Sequence, residues 1–284
     1  MGIDTVQFCY DDGVSGEVCQ TAQSLDLGPF STSAKSFSIS DPKTNYYQIA
    51  ENSFMPPVDS PATEIGDEFT IVASIYVISF GAAQVYMANE GISQRTLTQT
   101  NNSQGPTPWL FITAEGLGTN TIRTYVDTGV SPWDLFPTPW TQNAWNTIAL
   151  SLDTNAGIWR GRVNGTVLTT GNTVQAVISD AIRSDTGVTC WGYNPNGSGS
   201  QGCSHYLSQI WIDNNFVDFS NDATYAKFFD SNEKPVFLGA NGSLPTGTQP
   251  LHFAPDGDLT NNRGSGSNWT EVGTVPDAPS SPTD

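Results

Sequence analysis

The stretch that most restricts what this chain can fold into is residues 145–170, WNTIALSLDTNAGIWRGRVNGTVLTT. After Trp145, Ile148, Leu150 and Leu152 fall on one side and Thr147, Ala149 and Ser151 on the other, the period of two expected of a half-buried strand. Asp153-Thr154-Asn155-Ala156-Gly157 supplies turn chemistry, because Asp and Asn bond their own backbone and Gly accepts positive φ. A second strand comes next, with Trp159, Gly161 and Val163 on one face and Ile158, Arg160 and Arg162 on the other. Asn164-Gly165 is a type I′ turn signal, since both central residues of that turn need positive φ. Thr166 to Thr170 then reads as a third strand. A meander of this kind predicts an antiparallel β architecture.

The rest of the chain repeats the theme. Phe69 to Phe80, FTIVASIYVISF, is apolar on both faces and reads as a central strand covered on both sides. Lys35 to Phe54 holds a strand, a turn at Asp41-Pro42 and a second strand. Gln84 to Asn89, Trp109 to Ala114, Thr121 to Val126, Val174 to Ser179, Gly187 to Tyr193 and His205 to Asp213 complete the set. In the last of these, strict alternation sets Tyr206, Ser208, Ile210 and Ile212 against His205, Leu207, Gln209 and Trp211. Asn221 is placed to cap a helix over Asp222 to Phe229. About ten short strands divided by turn signals give an all-β antiparallel sandwich or barrel. Residues 1–34 read as an arm or cap with one strand at Thr5 to Tyr10. Residues 35–230 form the sandwich. Residues 231–284, rich in Gly, Pro, Asn and Ser, read as an extended tail, mobile at its end.

Charge narrows the partners. There are 28 acidic against 10 basic residues, a net of −18. Nucleic-acid binding needs a positive footprint to neutralise phosphates, so nucleic acid is disfavoured; the acidity favours solubility and self-repulsion. No run approaches the roughly 18 apolar residues of a membrane span, which predicts no membrane insertion. The start, MGIDTVQFCYDDG, has no basic segment followed by an apolar one, so synthesis in a cytoplasm without a signal peptide is expected. Cys9 with Cys19, and Cys190 with Cys203, bracket Gly-rich turns. Either pair could meet across a hairpin, but cytoplasmic synthesis favours free thiols.

With the strands in order, the chain resembles the laminin-G-like branch of the concanavalin A-like jelly rolls. The residues that carry the likeness are the strands in 37–49, FTIVASIYV, WNTIALSLD with its hairpin to WRGRVNG, and LSQIWID followed by a short helix. The segment from KFFDSNEKPVFLG to SNWTEVG resembles the stretch that succeeds such domains in tailed-bacteriophage structural proteins. That likeness implies a virion surface location, reached from the host cytoplasm by lysis.

Candidate chemistry is sparse. Jelly-roll glucanases need two carboxylates about 5 Å apart on one face. The nearest cluster, Glu64-Ile65-Gly66-Asp67-Glu68, is interrupted by Gly, and Asp213, Asp218 and Asp222 read as turn residues. Adjacent Ser204 and His205 point to opposite faces of a strand, so no nucleophile pair is expected. Asp256, Asp258 and Asn261 offer hard oxygen ligands for calcium, although the spacing leaves the EF-hand pattern after the second ligand; Asx turns are the competing reading. Trp133, Trp140, Trp191 and Tyr193 are candidates for stacking on sugar rings, against the simpler reading that Trp133, Phe136 and Trp140 cap the open end of the core.

The leading expectation is therefore a non-enzymatic bacteriophage virion surface protein: a capsid decoration, head fibre or tail-associated adhesin. It would be a homo-oligomer held to capsid or tail proteins, with weak affinity for host surface glycans. No cofactor is required by this reading, with calcium the ion to test. The alternative is a stand-alone carbohydrate-binding module or lectin. The second alternative is a phage glycan hydrolase.

Overall fold

The computed structural model describes residues 6–11, 17–22, 34–37, 45–50, 68–78, 84–90, 111–116, 120–125, 134–137, 141–153, 156, 158–168, 188–192 and 204–282. In chain order the strands are β1 (Val6–Asp11), β2 (Glu17–Ala22), β3 (Lys35–Phe37), β4 (Tyr46–Ala50), β5 (Glu68–Val77), β6 (Gln84–Glu90), β7 (Phe111–Gly116) and β8 (Asn120–Tyr125). They continue with β9 (Asp134–Pro137), β10 (Trp145–Asp153), β11 (Ile158–Val163), β12 (Thr166–Val167), β13 (Val188–Trp191), β14 (His205–Asp213), β15 (His252–Ala254) and β16 (Thr270–Val272). The α-helix described is α1, Asp222–Tyr225. Among the described residues no helix is long and apolar enough to cross a membrane.

Two seven-stranded antiparallel sheets form the sandwich. The first runs β12-β11-β10-β5-β14-β15, with β3 also on β14; the second runs β16-β4-β13-β6-β7-β8-β9. This is the all-β antiparallel sandwich expected from the sequence. β5 is central, with β10 on one side (Leu150 opposite Ile71) and β14 on the other (Leu207 opposite Ile75). Its inward residues Phe69, Ile71, Ala73, Ile75 and Val77 pack with Ile148, Leu150, Val163 and Leu207 against Tyr47, Ile49 and Trp191 of the second sheet. Each fully buried aliphatic or aromatic side chain here stabilises by about 1.5–3 kcal/mol. The Asn164-Gly165 turn takes the expected left-handed pair, φ 48° and 70°.

The segment after residue 230 corrects the expectation of an extended tail. Its strands join both sheets: β15 pairs with β14 (Phe253 opposite Trp211), and β16 with β4 (Glu271 opposite Tyr47). Leu251, Leu259, Trp269 and Val275 are core residues between the sheets. Phe228, Phe229, Leu238 and Phe253, with Val217, Phe219 and Tyr225, cover Val72, Ala149 and Trp211 on the outer face of the first sheet. Few apolar residues suffice because they are large and land on an apolar strip. At the opposite end of the domain, Ala34–Phe37 lies beside 276–278: Ser36 N donates to Pro276 O at 2.8 Å and Ala278 N to Ala34 O at 2.7 Å.

Smaller departures have local causes. Strict alternation fails in β14, where the register slips between Ser208 and Trp211. Gln209 adopts φ 42° and its N–H donates to Pro255 O at 3.0 Å. The bulge returns Ile210 and Ile212 to the inner face beyond Leu207 and sends Trp211 outward. α1 stops at Tyr225, so Phe228 and Phe229 reach the sheet from turns rather than from the longer helix expected. β12 is shorter than Thr166–Thr170. A short strand, β9, lies inside the expected 127–144 loop. The N-terminal segment forms a hairpin, β1–β2, whose register sets Cys9 opposite Cys19. Val174–Ser179 and Cys203 lie outside the described residues.

Candidate functional site

Three neighbouring strands place an aromatic row on the outer face of the first sheet. Tyr206 of β14 is directly opposite Tyr76 of β5, and Tyr76 directly opposite Trp145 of β10. Residues in register on one face are in contact range. The Tyr76 and Tyr206 rings stack at 5.0 Å and 26°, and Trp145 meets Tyr76 edge-on at 5.7 Å and 74°. All three are half-buried, beyond the reach of the apolar cover further along the sheet. Ser36 of β3, opposite Tyr206, adds only a small side chain beside that ring.

The next row along the strands is polar: Ser208, Ser74 and Thr147, all buried. Thr147 Oγ1 shares a hydrogen bond with Tyr225 Oη at 3.0 Å and donates to Glu233 Oε2 at 3.1 Å. Tyr225 Oη also donates to Glu233 Oε2 and accepts from Gly165 N at 3.2 Å. Burial pushes the Tyr225 phenol well above the usual tyrosine range, and the Glu233 carboxylate adds to the shift, so this hydroxyl is a positioned donor. Glu233 itself sits at φ 61°, a costly backbone state for a residue with a Cβ. It lies so close over the hairpin turn that a Cβ on Gly165 would clash with Glu233 Oε1. Arg162 braces the arrangement from the other side: its guanidinium stands 5.0 Å over the Tyr225 ring, donates to Phe219 O at 2.6 Å and Ser220 O at 3.1 Å, and pairs with Asp222. Ser74 Oγ and Trp145 Nε1 are buried and have no hydrogen-bond partner among the described residues.

The residues singled out from sequence fare differently. Trp191 is in the core: it is 0% exposed, stands opposite Tyr47 in β4, and its Nε1 donates to His205 Nε2 at 3.0 Å. It cannot stack on a sugar, because an inward position on β13 buries it between the sheets. Trp133, Trp140 and Tyr193 lie outside the described residues. Both histidines serve as acceptors for buried indoles, since Trp269 Nε1 donates to His252 Nδ1 at 3.3 Å.

Asp256, Asp258 and Asn261 form a turn rather than a converging ligand set. Asp256 Oδ1 accepts from Asp258 N at 3.1 Å, and Asp258 Oδ1 accepts from Thr260 N at 3.1 Å and Thr260 Oγ1 at 2.6 Å. Asp258 thereby caps the 3-10 turn Leu259–Asn261, which Asn261 enters through its backbone N–H. Among the described residues, no group of three or more His, Cys, Asp and Glu side chains is placed to hold a metal ion. At the same edge Lys35 Nζ pairs with Asp277 at 2.9 Å. Burial and the nearby carboxylates of Asp258, Glu271, Asp256 and Asp277 push the Tyr47 phenol upward.

The aromatic row escapes a reading of the sequence because Tyr76, Trp145 and Tyr206 each look like an ordinary strand residue. The signal is the register: each is the outward residue of its strand at the same level.

No family model matches the chain, and no curated protein does. Among solved structures, the heptameric SAP-like pentraxin from Limulus polyphemus superposes over 88% of this chain and 95% of its own at TM-score 0.51 and 12% identity. A proposed carbohydrate binding protein from Bacteroides ovatus matches 87% of this chain and 59% of its own at TM-score 0.49 and 14% identity. Domains LG4-5 of the mouse laminin alpha1 chain match 66% and 44% at TM-score 0.41 and 12% identity. At this level of identity the pentraxin likeness is one of fold.

Proposed function

We propose that the protein is a non-enzymatic, lectin-like glycan-binding module whose contact surface is the row Tyr76–Trp145–Tyr206. The observation that carries this reading is three half-buried rings side by side on adjacent strands of a rigid sheet. Tyr and Trp combine an apolar body with a polar tip and are favoured where one side must meet a wet partner. Pyranose rings offer C–H faces to aromatic carbons and hydroxyls to the polar rim, here Glu233 and the 164–165 turn. Sites carried on strands hold their geometry better than sites on loops.

The test is a glycan array followed by calorimetry, run with and without calcium, on the wild type and on Trp145→Ala and Tyr206→Ala. Each substitution should weaken binding at least about tenfold, the loss expected for about 1.4 kcal/mol, with the melting transition retained in at least one of them. Binding unchanged in both folded variants, or turnover of a polysaccharide, would overturn the reading.

A second reading places the module on a virion surface, as a homo-oligomer docked on capsid or tail proteins. It is supported by the resemblance of the 227–273 segment to phage structural proteins and by the net charge of −18, which suits crowded display in solution. Peptides of the chain in mass spectra of purified particles are its expected result; their absence from particles that carry every other structural protein would discard it.

A further inference from the structure

We infer that Glu233 selects the ligand of the aromatic row, and that the preferred glycan carries a free primary amine. The inference rests on the row being a saccharide surface, as proposed above.

The carboxylate is fixed beside the row. Thr147, which donates to it at 3.1 Å, lies two positions after Trp145 on the same face of β10, a separation of about 7 Å. Two hydroxyls, those of Thr147 and Tyr225, bond the same oxygen, Oε2. A carboxylate has roughly four acceptor sites, so further acceptor capacity is left for a ligand. No ion pair neutralises Glu233 among the described residues. Of the described cations, Arg162 is committed to Asp222 and two carbonyls, Arg160 to Asp218 at 3.6 Å, and Lys227 to Pro245 O at 3.0 Å.

The left-handed backbone of Glu233 (φ 61°) sharpens the point. Asn or Gly would take that conformation at lower cost. A long acidic side chain held there by two hydroxyl donors is an expensive way to satisfy a turn, and strain of this sort clusters at ligand-contacting positions. A structural role for Glu233, tying the covering segment to the sheet, requires an acceptor at Oε2 but not a charge. Charge is the property that discriminates the two roles. A half-buried carboxylate with no ion pair among the described residues attracts an ammonium and repels an acidic sugar.

A matched pair of ligands tests this: a glucosamine oligomer with free amines and the same oligomer fully N-acetylated, titrated calorimetrically into the wild type and Glu233→Gln. Gln keeps an acceptor for both hydroxyls and removes the charge. The wild type should prefer the free amine by about tenfold, the size of one charge-assisted hydrogen bond. Raising salt should erode that preference. In Glu233→Gln that preference should be lost. Equal binding of the two oligomers by the wild type, or a preference that survives in folded Glu233→Gln, overturns the assignment and leaves the glycan-binding reading intact. If neither oligomer nor any arrayed glycan binds, both fall together. The comparison of the two oligomers on the wild type needs no variant, so equal binding there overturns the assignment even if Glu233→Gln folds poorly.

Discussion

The two faces of the first sheet are built from alternate residues of the same strands, yet they are held by different physics. The inner face meets another sheet. Both partners have their backbone groups paired in ladders, so apolar side chains suffice: Phe69, Ile71, Ile75, Leu150 and Leu207 are all at most 1% exposed. The outer face meets residues 215–255, which are irregular apart from the short helix α1 and the three-residue edge strand β15. Buried backbone N–H and C=O groups must still be paired, and the strands supply the partners. Ser151 Oγ accepts from Val217 N at 2.8 Å, and Thr70 Oγ1 donates to Asn215 O at 2.5 Å. Glu68 Oε2 accepts from Phe216 N at 2.9 Å. Trp211 Nε1 donates to Gly242 O at 2.9 Å, and Ser208 Oγ to Pro255 O at 3.2 Å. The polar residues of the outer face are thus a docking board for a covering segment, and where the cover stops the half-buried aromatic row begins.

The sharpest way to break this contrast uses adjacent residues of β10. Leu150→Ala, on the inner face, should cost about 2–5 kcal/mol. In urea the whole transition should move to a lower midpoint with its slope unchanged, because both sheets share that core. Its neighbour Ser151→Ala removes no apolar contact but strands the Val217 N–H. The expected cost is about 1–3 kcal/mol, and amide exchange should rise selectively at Val217 and nearby in the cover while the inner strands stay protected. If exchange rises equally everywhere, the cover is no separate unit.

The smallest effect is a pH dependence at the rim of the cover. Hydrogen bonds from the Ser220 hydroxyl, and beyond it the Ser220 N–H and Arg160, hold the Asp218 carboxyl below its ordinary value against a modest desolvation. A depressed folded-state value means stability that is present above the unfolded carboxylate range and lost as pH falls through the folded value. Asp218→Asn should therefore lower stability at pH 7, by less than about 1 kcal/mol for so exposed a group. The difference from wild type should close as pH falls through the folded-state value of Asp218. A difference that persists at acid pH would assign the effect to packing instead.

Much of the inner face was legible in the sequence. The two-sided apolar run of β5, the alternation of β10 and the Asn164-Gly165 turn are local signals, each decided by neighbours in the chain, and the structure agrees with them. The cover was not legible, because its bonds join distant positions: Ser151 with Val217, Trp211 with Gly242, Glu68 with Phe216. Nothing local marks Ser151 as an acceptor rather than a solvated hydroxyl. The same blindness misassigns Trp191, since an inward and an outward Trp differ only in parity. In β14 parity itself is broken at Gln209 by a contact with Pro255, 46 residues on. The aromatic row needs three strands aligned in space before it exists at all.

One contact at the domain's edge has a consequence for how such a module can be used. Ala34–Phe37 and 276–278 lie side by side, joined by Ser36 N to Pro276 O and Ala278 N to Ala34 O. The first described residues of the sandwich and its C-terminal stretch are therefore neighbours. A unit of that shape can be spliced into a surface loop of a host protein without prising the host's own strands apart, and it can be reopened at another turn once 34 and 278 are tied together. The fold behaves as a cassette with its two leads on one side.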